Sequence, residues 1–155
     1  MSALGLIRRA VVAACGALAL LAEVACQSAL AQSGLPIHDI RVDVAPLRAN
    51  AGDPTASWVQ QELPGQLAKA MAGRMTPKGG TLVVRIDYLT LGPIKHSWSL
   101  DNIIGVAKIG GVQWPTRATT RYQVSPIDQA MIEQSNHYRV TQLVQALAFW
   151  LARVL

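Results

Sequence analysis

The chain has 155 residues, enough for one domain, with a formal net charge of +5 and two cysteines. Its basic residues are scattered, with no run of like charge, which argues against a nucleic-acid-binding protein. Both cysteines lie within the first 26 residues. The remainder therefore has no disulfide and depends on its hydrophobic core for stability.

The first 31 residues have the features of a cleaved secretory signal peptide. Arg8-Arg9 forms a positive start, an apolar region follows, and Ala29-Leu30-Ala31 has the small-x-small pattern of a cleavage site. The apolar run of about 13 residues before Glu23 is shorter than the roughly 20 residues that a membrane-spanning helix needs. We therefore expect a signal peptide at 1–31 and a single periplasmic domain at 32–155.

Lipidation at Cys26 is the alternative to a soluble periplasmic form. The sequence Glu23-Val24-Ala25-Cys26 places a cysteine after small apolar residues, as in bacterial lipoproteins, but has a carboxylate where leucine is usual. Membrane attachment is expected only if Cys26 carries lipid. The mature chain would keep 12 basic and 8 acidic residues, a net charge of +4.

The first half of the mature chain predicts a strand followed by a helix. Alternating polarity over 37–47 indicates a strand that ends at Ala45-Pro46, with a loop at 48–53. Asp53-Pro54 has the form of a helix start, with Asp53 as N-cap and Pro54 at the first helical position. A kink or break is expected at Pro64-Gly65. The apolar stripe of this helix consists of Val59, Leu63, Leu67 and Met71.

Three further strands follow the turn at 76–80. The second strand, 81–91, alternates through Tyr88, with Leu82, Val84, Ile86 and Tyr88 on the face expected to meet the helices. It then loses its phase, which predicts an irregular end near Gly92-Pro93.

A loop is expected at 94–101, then a strand at 102–109, in which Gly105 suggests a bulge or a close contact with a helix. The turn at 110–115 leads to a fourth strand at 116–124.

The C-terminal segment predicts a short helix and a longer one. Ser125-Pro126 begins the first, which ends near Gln134, and the second extends from about Asn136 to the end. The split at Ser135-Asn136 is predicted because Ile127 and Met131 lie opposite the apolar arc of the longer helix. That arc consists of Val140, Leu143, Val144, Leu147, Trp150, Leu151, Val154 and Leu155.

These elements predict an α/β (α+β) two-layer sandwich. The order is β-α-β-β-β-α(α), with a four-stranded mixed sheet and the helices on one face. The other face would be a solvated surface with cross-strand ion pairs or, alternatively, a docking surface. Its predicted side chains are Asp39, Arg41, Asp43, Arg85, Asp87, Arg117, Thr119, Arg121 and Gln123.

No catalytic constellation is visible in the sequence. The histidines His38, His96 and His137 lack metal-ligand spacing, and no nucleophile elbow, zinc-protease motif or phosphate loop is present. We therefore expect no enzyme, no cofactor and no metal site.

Two regions are candidates for contact with a partner. The loop residues Lys95, His96, Trp98 and Asp101 combine an aromatic ring with charge, and Trp114 lies in the next turn. Each tryptophan could instead pack over the sheet. Phe149 lies with Gln142 and Gln145 on the helical wheel, away from the apolar arc.

The sequence resembles small envelope accessory proteins of bacteria. The likeness is carried by 40–47 (IRVDVAPL), by the helix with Leu63, Leu67 and Met71, and by 80–84 (GTLVV), which together span about half of the mature chain. The families are the lipopolysaccharide-assembly lipoproteins, the auxiliary lipoproteins of lipid-transport ABC systems and the domains similar to the N-terminal part of TolB. The resemblance implies a non-catalytic envelope role and transfers no site residue.

The sequence therefore predicts a non-enzymatic periplasmic or envelope-associated accessory protein that binds another envelope component. The alternative is a small periplasmic hydrolase or ligand-binding domain that uses the loop at 95–102. A concave pocket that contains His96, Asp101 and another polar group would favour the alternative.

Overall fold

The computed structural model describes residues 34–93, 98–123 and 131–155. Four strands form one sheet in the order β1-β2-β3-β4. They are β1 (Ile37–Asp43), β2 (Gly80–Thr90), β3 (Trp98–Ile109) and β4 (Val112–Gln123). β1 is parallel to β2, and the other two pairs are antiparallel. The helices are α1 (Ala45–Ala51), α2 (Thr55–Ala70) and α3 (Ile132–Val154), and a 3₁₀ turn follows α2 at Ala72–Arg74.

The predicted two-layer α/β sandwich is confirmed. Alternate side chains of the strands are buried, and they form one cluster with the apolar stripes of α2 and α3. The predicted stripe of α2 is fully or almost fully buried, as are Val140, Leu143, Val144, Leu147 and Leu151 of α3. No helix in the described part of the chain is long and apolar enough to cross a membrane.

A bulge in β2 changes which of its side chains face the helices. Ile86 lies opposite Gly105 and Tyr88 opposite Ile104, so Asp87 is the extra residue between two consecutive pairs. The prediction that Tyr88 faces the core is therefore wrong, and its side chain is 55% exposed. The predicted loss of phase is real, but it occurs before Tyr88 and brings Leu89 to the core face.

Gly105 allows close approach of β2 and β3 beside this bulge. A Cβ at this position would collide with the carbonyl oxygen of Arg85 in β2. The prediction of a close contact with a helix is therefore wrong, because the close neighbour of Gly105 is the backbone of β2. The turn between β3 and β4 is tighter than expected, because Gly110 and Gly111 both have positive φ, 57° and 87°.

The segment predicted as a loop at 48–53 is largely helical. α1 begins directly after β1, where the carboxylate of Asp43 accepts a hydrogen bond from the backbone N–H of Ala45 (2.9 Å). Pro46 lies in the first turn, and Leu47 is fully buried. The strand therefore ends at Asp43, two residues before the predicted end at Ala45-Pro46.

The expected break at Pro64 is absent, because α2 continues through this residue. Proline leaves the carbonyl of Gln60 without its helical partner, and Gln60 is exposed, so solvent can satisfy that oxygen. The N-cap is Pro54 rather than Asp53. Asp53 instead accepts a hydrogen bond from the hydroxyl of Ser57 (2.7 Å).

Three other predicted boundaries differ from the structure. β3 begins at Trp98, inside the predicted loop, and β4 begins at Val112. α3 is continuous through Ser135-Asn136, so the predicted split is wrong. Met131 lies opposite the apolar arc because it is the N-cap of α3 and its side chain is exposed. The predicted helix start at 125–130 lies outside the described residues.

Candidate interaction surface

The face of the sheet opposite the helices carries a row of exposed apolar side chains. Leu100 and Ile104 of β3 are 43% and 41% exposed, and Val106 is partly exposed. Tyr88 of β2 lies directly opposite Ile104. We call these four residues the open-face stripe. On the other face, the intervening residues of β3 are buried, so buried and more exposed side chains alternate from Ser99 to Ile109.

Cationic side chains border the stripe on the β4 side. Arg121 lies opposite Leu100, and Arg117 lies opposite Ile104. Lys108 continues the row of β3 beyond Val106 and is exposed. β3 and β4 together carry one carboxylate, Asp101, which is fully buried. Among the described residues, this half of the face therefore carries cationic side chains and no exposed carboxylate.

The β1–β2 side of the face has mixed charge that is compensated locally. Arg41 pairs with Asp39 (2.9 Å), and Arg85 pairs with Asp87 (2.7 Å). The hydrogen bond from Arg41 lowers the pKa of the Asp39 carboxyl, and that to Asp87 raises the pKa of the Arg85 guanidinium. Both pairs join residues two apart on one strand, whereas the sequence suggested pairs between strands.

Polar contacts fix the middle of the β3–β4 half. The side-chain oxygen of Asn102 accepts hydrogen bonds from the hydroxyl of Thr119 (2.8 Å) and from Nη2 of Arg117 (3.2 Å). The guanidinium of Arg117 is thus tied to the side chain of Asn102 while the residue remains exposed. The predicted polar residues of this face are where the sequence placed them, but the apolar stripe was not anticipated.

A buried ion pair lies at the end of the sheet where β2 connects to β3. Nε of Arg139 in α3 donates to Oδ2 of Asp101 (2.9 Å), and Nη2 donates to Oδ1. The same Nη2 also donates to the carbonyl oxygen of Gly92 (2.8 Å) and to the hydroxyl of Ser99 (2.9 Å). Asp101 completes the network by accepting from the backbone N–H of Gly92 (2.9 Å). The network ties α3 to both ends of the β2–β3 connection.

A cavity of about 290 Å³ lies beside this ion pair, between β4 and α3. Its lining is polar and aromatic. The guanidinium carbon of Arg139 is 5.3 Å from the centre of the Tyr122 ring, and the rings of Tyr122 and Tyr138 are 6.3 Å apart. The described lining residues are Asp101, Thr120, Arg121, Tyr122, Gln123, Tyr138, Arg139 and Gln142.

His137 belongs to a contact between α2 and α3. Its Nε2 is 2.7 Å from Oε1 of Glu62, which also accepts from the hydroxyl of Thr141 (3.0 Å). The imidazole stacks on the ring of Trp58, with 4.9 Å between centroids. Within the described ranges, no three His, Cys, Asp or Glu side chains are placed to hold a metal ion.

The predicted contact residues that the structure describes lie in three different elements, β3, β4 and α3. Lys95 and His96 lie outside the described residues, as does the side chain of Trp98, and contact through them stays a prediction. Asp101 is not a surface loop residue, because it lies in β3 with no exposed area. Trp114 is also not in a turn; it lies in β4 and packs against the core. Phe149 is 63% exposed as predicted, with the guanidinium of Arg153 5.4 Å from its ring.

Comparison with solved structures finds a similar fold in a bacterial lipoprotein. A crystal structure of a minor lipoprotein from Acinetobacter baumannii matches with a TM-score of 0.51 and 13% sequence identity. The match covers 77% of this chain and 90% of the lipoprotein. No protein-family model matches the chain, and no curated protein matches it in sequence. The resemblance to envelope lipoproteins that the sequence indicated is confirmed at the level of the fold.

Proposed function

We propose that this protein is a non-enzymatic accessory protein of the bacterial cell envelope that binds another envelope component through its open sheet face. The observation that carries the proposal is the open-face stripe. Three of its side chains are 41% to 55% exposed, in the centre of a surface bordered by polar groups. An apolar centre with a polar rim is the usual anatomy of a protein interface.

The polar clusters of the structure support a binding role over a catalytic one. The most desolvated charges, Arg139 and Asp101, are 1% and 0% exposed and are paired with each other. Their hydrogen bonds fix the β2–β3 connection, which is a structural task. The Glu62–His137 contact likewise joins two helices.

The fold likeness and the predicted signal peptide support an envelope location. The structural neighbour is titled a lipoprotein, and the sequence predicts export with cleavage before Gln32. Mass spectrometry of the mature N-terminus, together with cell fractionation, tests this location. We expect an unmodified Gln32 as the first residue of the protein in the periplasmic fraction. An acylated Cys26 in the membrane fraction would show that the protein is tethered to the membrane rather than soluble.

Photocross-linking in cells tests the binding face. A benzophenone amino acid replaces Ile104 on the open face or Gln61 on the exposed side of α2. We expect adducts from position 104 and none of comparable yield from position 61. Adducts from position 61 alone, or none from position 104, would overturn the proposal.

Binding of a small ligand in the cavity beside Asp101 is a second candidate function. The supporting observation is the polar and aromatic lining of the concave site between β4 and α3. Tyrosine rings with neighbouring amides suit a small polar molecule. Tyr138→Ala and Gln142→Ala would lower the affinity of such a ligand, measured by calorimetry, without affecting cross-linking at position 104.

A further inference from the structure

We propose that the occupant of the open face is an amphipathic helix of another protein, with apolar residues against the open-face stripe and carboxylates along the flank that faces β4. This inference rests on the proposed function and specifies the chemistry of its partner. It follows from the backbone, the shape and the charge of the face.

The backbone of the face favours a helical partner. The strands beneath the stripe are paired in a continuous ladder from β1 to β4, so their N–H and C=O groups are already used within the sheet. A segment that lies on top of the sheet must therefore satisfy its own backbone groups. A helix does this internally.

The dimensions of the stripe also suit one helix. Leu100 to Val106 is a separation of six residues along β3, which corresponds to about 20 Å of strand. A helix of about 13 residues has this length, and its diameter of about 10 Å covers two to three strands spaced about 4.8 Å apart. The helices on the other side of the same sheet already pack on it as one layer.

The charge of the face sets the polarity of the partner. Arg117 borders the stripe toward β4, Lys108 continues the row of β3 beyond Val106, and the single carboxylate of these two strands is buried. The β1–β2 side instead carries Asp39 and Asp87, each already paired with an arginine. A helix with carboxylates on one flank would therefore be attracted to the β4 side and fixed in orientation.

The same arrangement disfavours a planar anionic membrane as the occupant. The open-face stripe lies between two polar borders rather than at a protruding edge. The polar residue Asn102 also lies between Leu100 and Ile104 on the same side of β3. Seating the whole face on a bilayer would desolvate Asp39 and Asp43 next to anionic headgroups. Such burial of carboxylates is unfavourable.

The test extends the cross-linking experiment with charge variants. The benzophenone at position 104 is combined with Lys108→Glu and Arg117→Glu, and the matched control carries Lys69→Glu and Lys78→Glu, two exposed residues outside β3 and β4. We expect the first pair to lower the adduct yield roughly tenfold and the control pair to leave it unchanged. Mass spectrometry of the adduct should identify a protein segment with apolar residues at helical spacing and Asp or Glu on one flank.

Several outcomes would overturn the inference while leaving the proposed function intact. These are an adduct to lipid, to a second copy of this chain or to a segment with strand periodicity, and a yield that is unaffected by Lys108→Glu and Arg117→Glu. Co-sedimentation of the purified protein with phosphatidylglycerol vesicles that these two substitutions abolish would indicate a membrane occupant instead. Absence of any adduct at position 104 would remove the proposed function itself.

Discussion

Ile103 and Ile104 are consecutive residues of β3 with opposite environments: the side chain of Ile103 is fully buried, whereas that of Ile104 is 41% exposed. Substitutions at these two positions should therefore affect stability and partner binding separately. Ile103→Ala should lower the free energy of unfolding by about 2–5 kcal/mol, because it creates a cavity in the core. Ile104→Ala should change it by less than about 0.5 kcal/mol and weaken partner capture. Urea denaturation measures the change in unfolding free energy. Co-purification of the Ile104→Ala protein with the partner that cross-linking at position 104 identifies measures the change in binding. Equal destabilisation by both substitutions would contradict the orientation of β3.

The buried pair of Arg139 and Asp101 predicts a strongly non-additive mutational response. Arg139→Met should cost about 3–5 kcal/mol, because it leaves the Asp101 carboxylate buried without a counter-ion. The double variant with Asp101→Leu should recover part of this loss, because it removes the unpaired carboxylate but leaves the N–H and C=O groups of Gly92 without these partners. Urea denaturation of the two single variants and the double variant gives the free energies of unfolding for this double-mutant cycle. A double variant as unstable as the sum of both single variants would show that the charges are not coupled.

Two glycines should respond to alanine in opposite directions. A Cβ at Gly105 would collide with the backbone of Arg85, and the strands would have to separate, so Gly105→Ala should destabilise the protein by about 1–3 kcal/mol. Gly65 lies within α2 and has open space around its Cβ position. Gly65→Ala should therefore stabilise the protein by about 0.5–1 kcal/mol. Thermal unfolding of both variants tests the prediction, and a stable Gly105→Ala protein would refute the close approach.

Thr116 offers a site at which removing a polar atom should stabilise the fold. Its side chain lies on the core face of β4, and its hydroxyl is buried with no hydrogen-bond partner among the described residues. Thr116→Val keeps the shape and removes the desolvated oxygen, which should raise the free energy of unfolding by about 1 kcal/mol. Thr119→Val is the matched control, because that hydroxyl donates to Asn102 on the open face. A loss of stability in Thr116→Val would indicate that the hydroxyl is satisfied.

The start of α2 predicts a pH-dependent contribution to stability. The hydroxyl of Ser57 donates to the Asp53 carboxylate and holds its pKa below the ordinary value of 3.8. Because the folded protein binds this proton less readily, the contribution is present above pH 3.8 and is lost as the pH falls through the folded-state pKa. Ser57→Ala should raise the pKa of Asp53, as measured by NMR titration. At acid pH, the free energy of unfolding of the Ser57→Ala protein should approach that of the unchanged protein.

Ser57→Thr is the control for this titration, since it keeps the hydroxyl at the same position. An Asp53 pKa that does not respond to Ser57→Ala would show that Arg48, 3.5 Å from the carboxylate, determines the shift instead.

The fold was predictable because polarity alternates along β1 and β4 and because α2 and the C-terminal part of α3 have regular apolar stripes. The predicted boundaries of helices and strands were wrong where a tertiary contact determines the boundary. α1 forms because Leu47 reaches the core and Asp43 binds the first turn, although Ala45-Pro46 reads as the end of a strand. Trp98 to Asp101 is a strand because it pairs with β4, although its composition is typical of a loop.

The candidate surface was only half predictable. The polar side chains of the open face follow from strand alternation, but 102–109 is apolar on both faces and hides which of Ile103 and Ile104 points outward. Arg139 could have been recognised, because it extends the line of Leu143, Leu147 and Leu151 by one turn. An arginine in such a line requires a buried acid, and Asp101 shares the phase of the core residues of β3.

The bulge at Asp87 determines which side chains of β2 reach the open face. Asn50 of α1 donates its side-chain amide to the backbone carbonyl of Asp87 (3.1 Å), so a neighbouring element holds the extra residue. If β2 alternated strictly through Asp87, Tyr88 would turn inward and Leu89 outward. Deleting Asp87 would instead leave a regular ladder with Tyr88 still opposite Ile104 and Leu89 still opposite Ile103. The extra residue thus gives an aromatic ring to the surface that we assign to the partner.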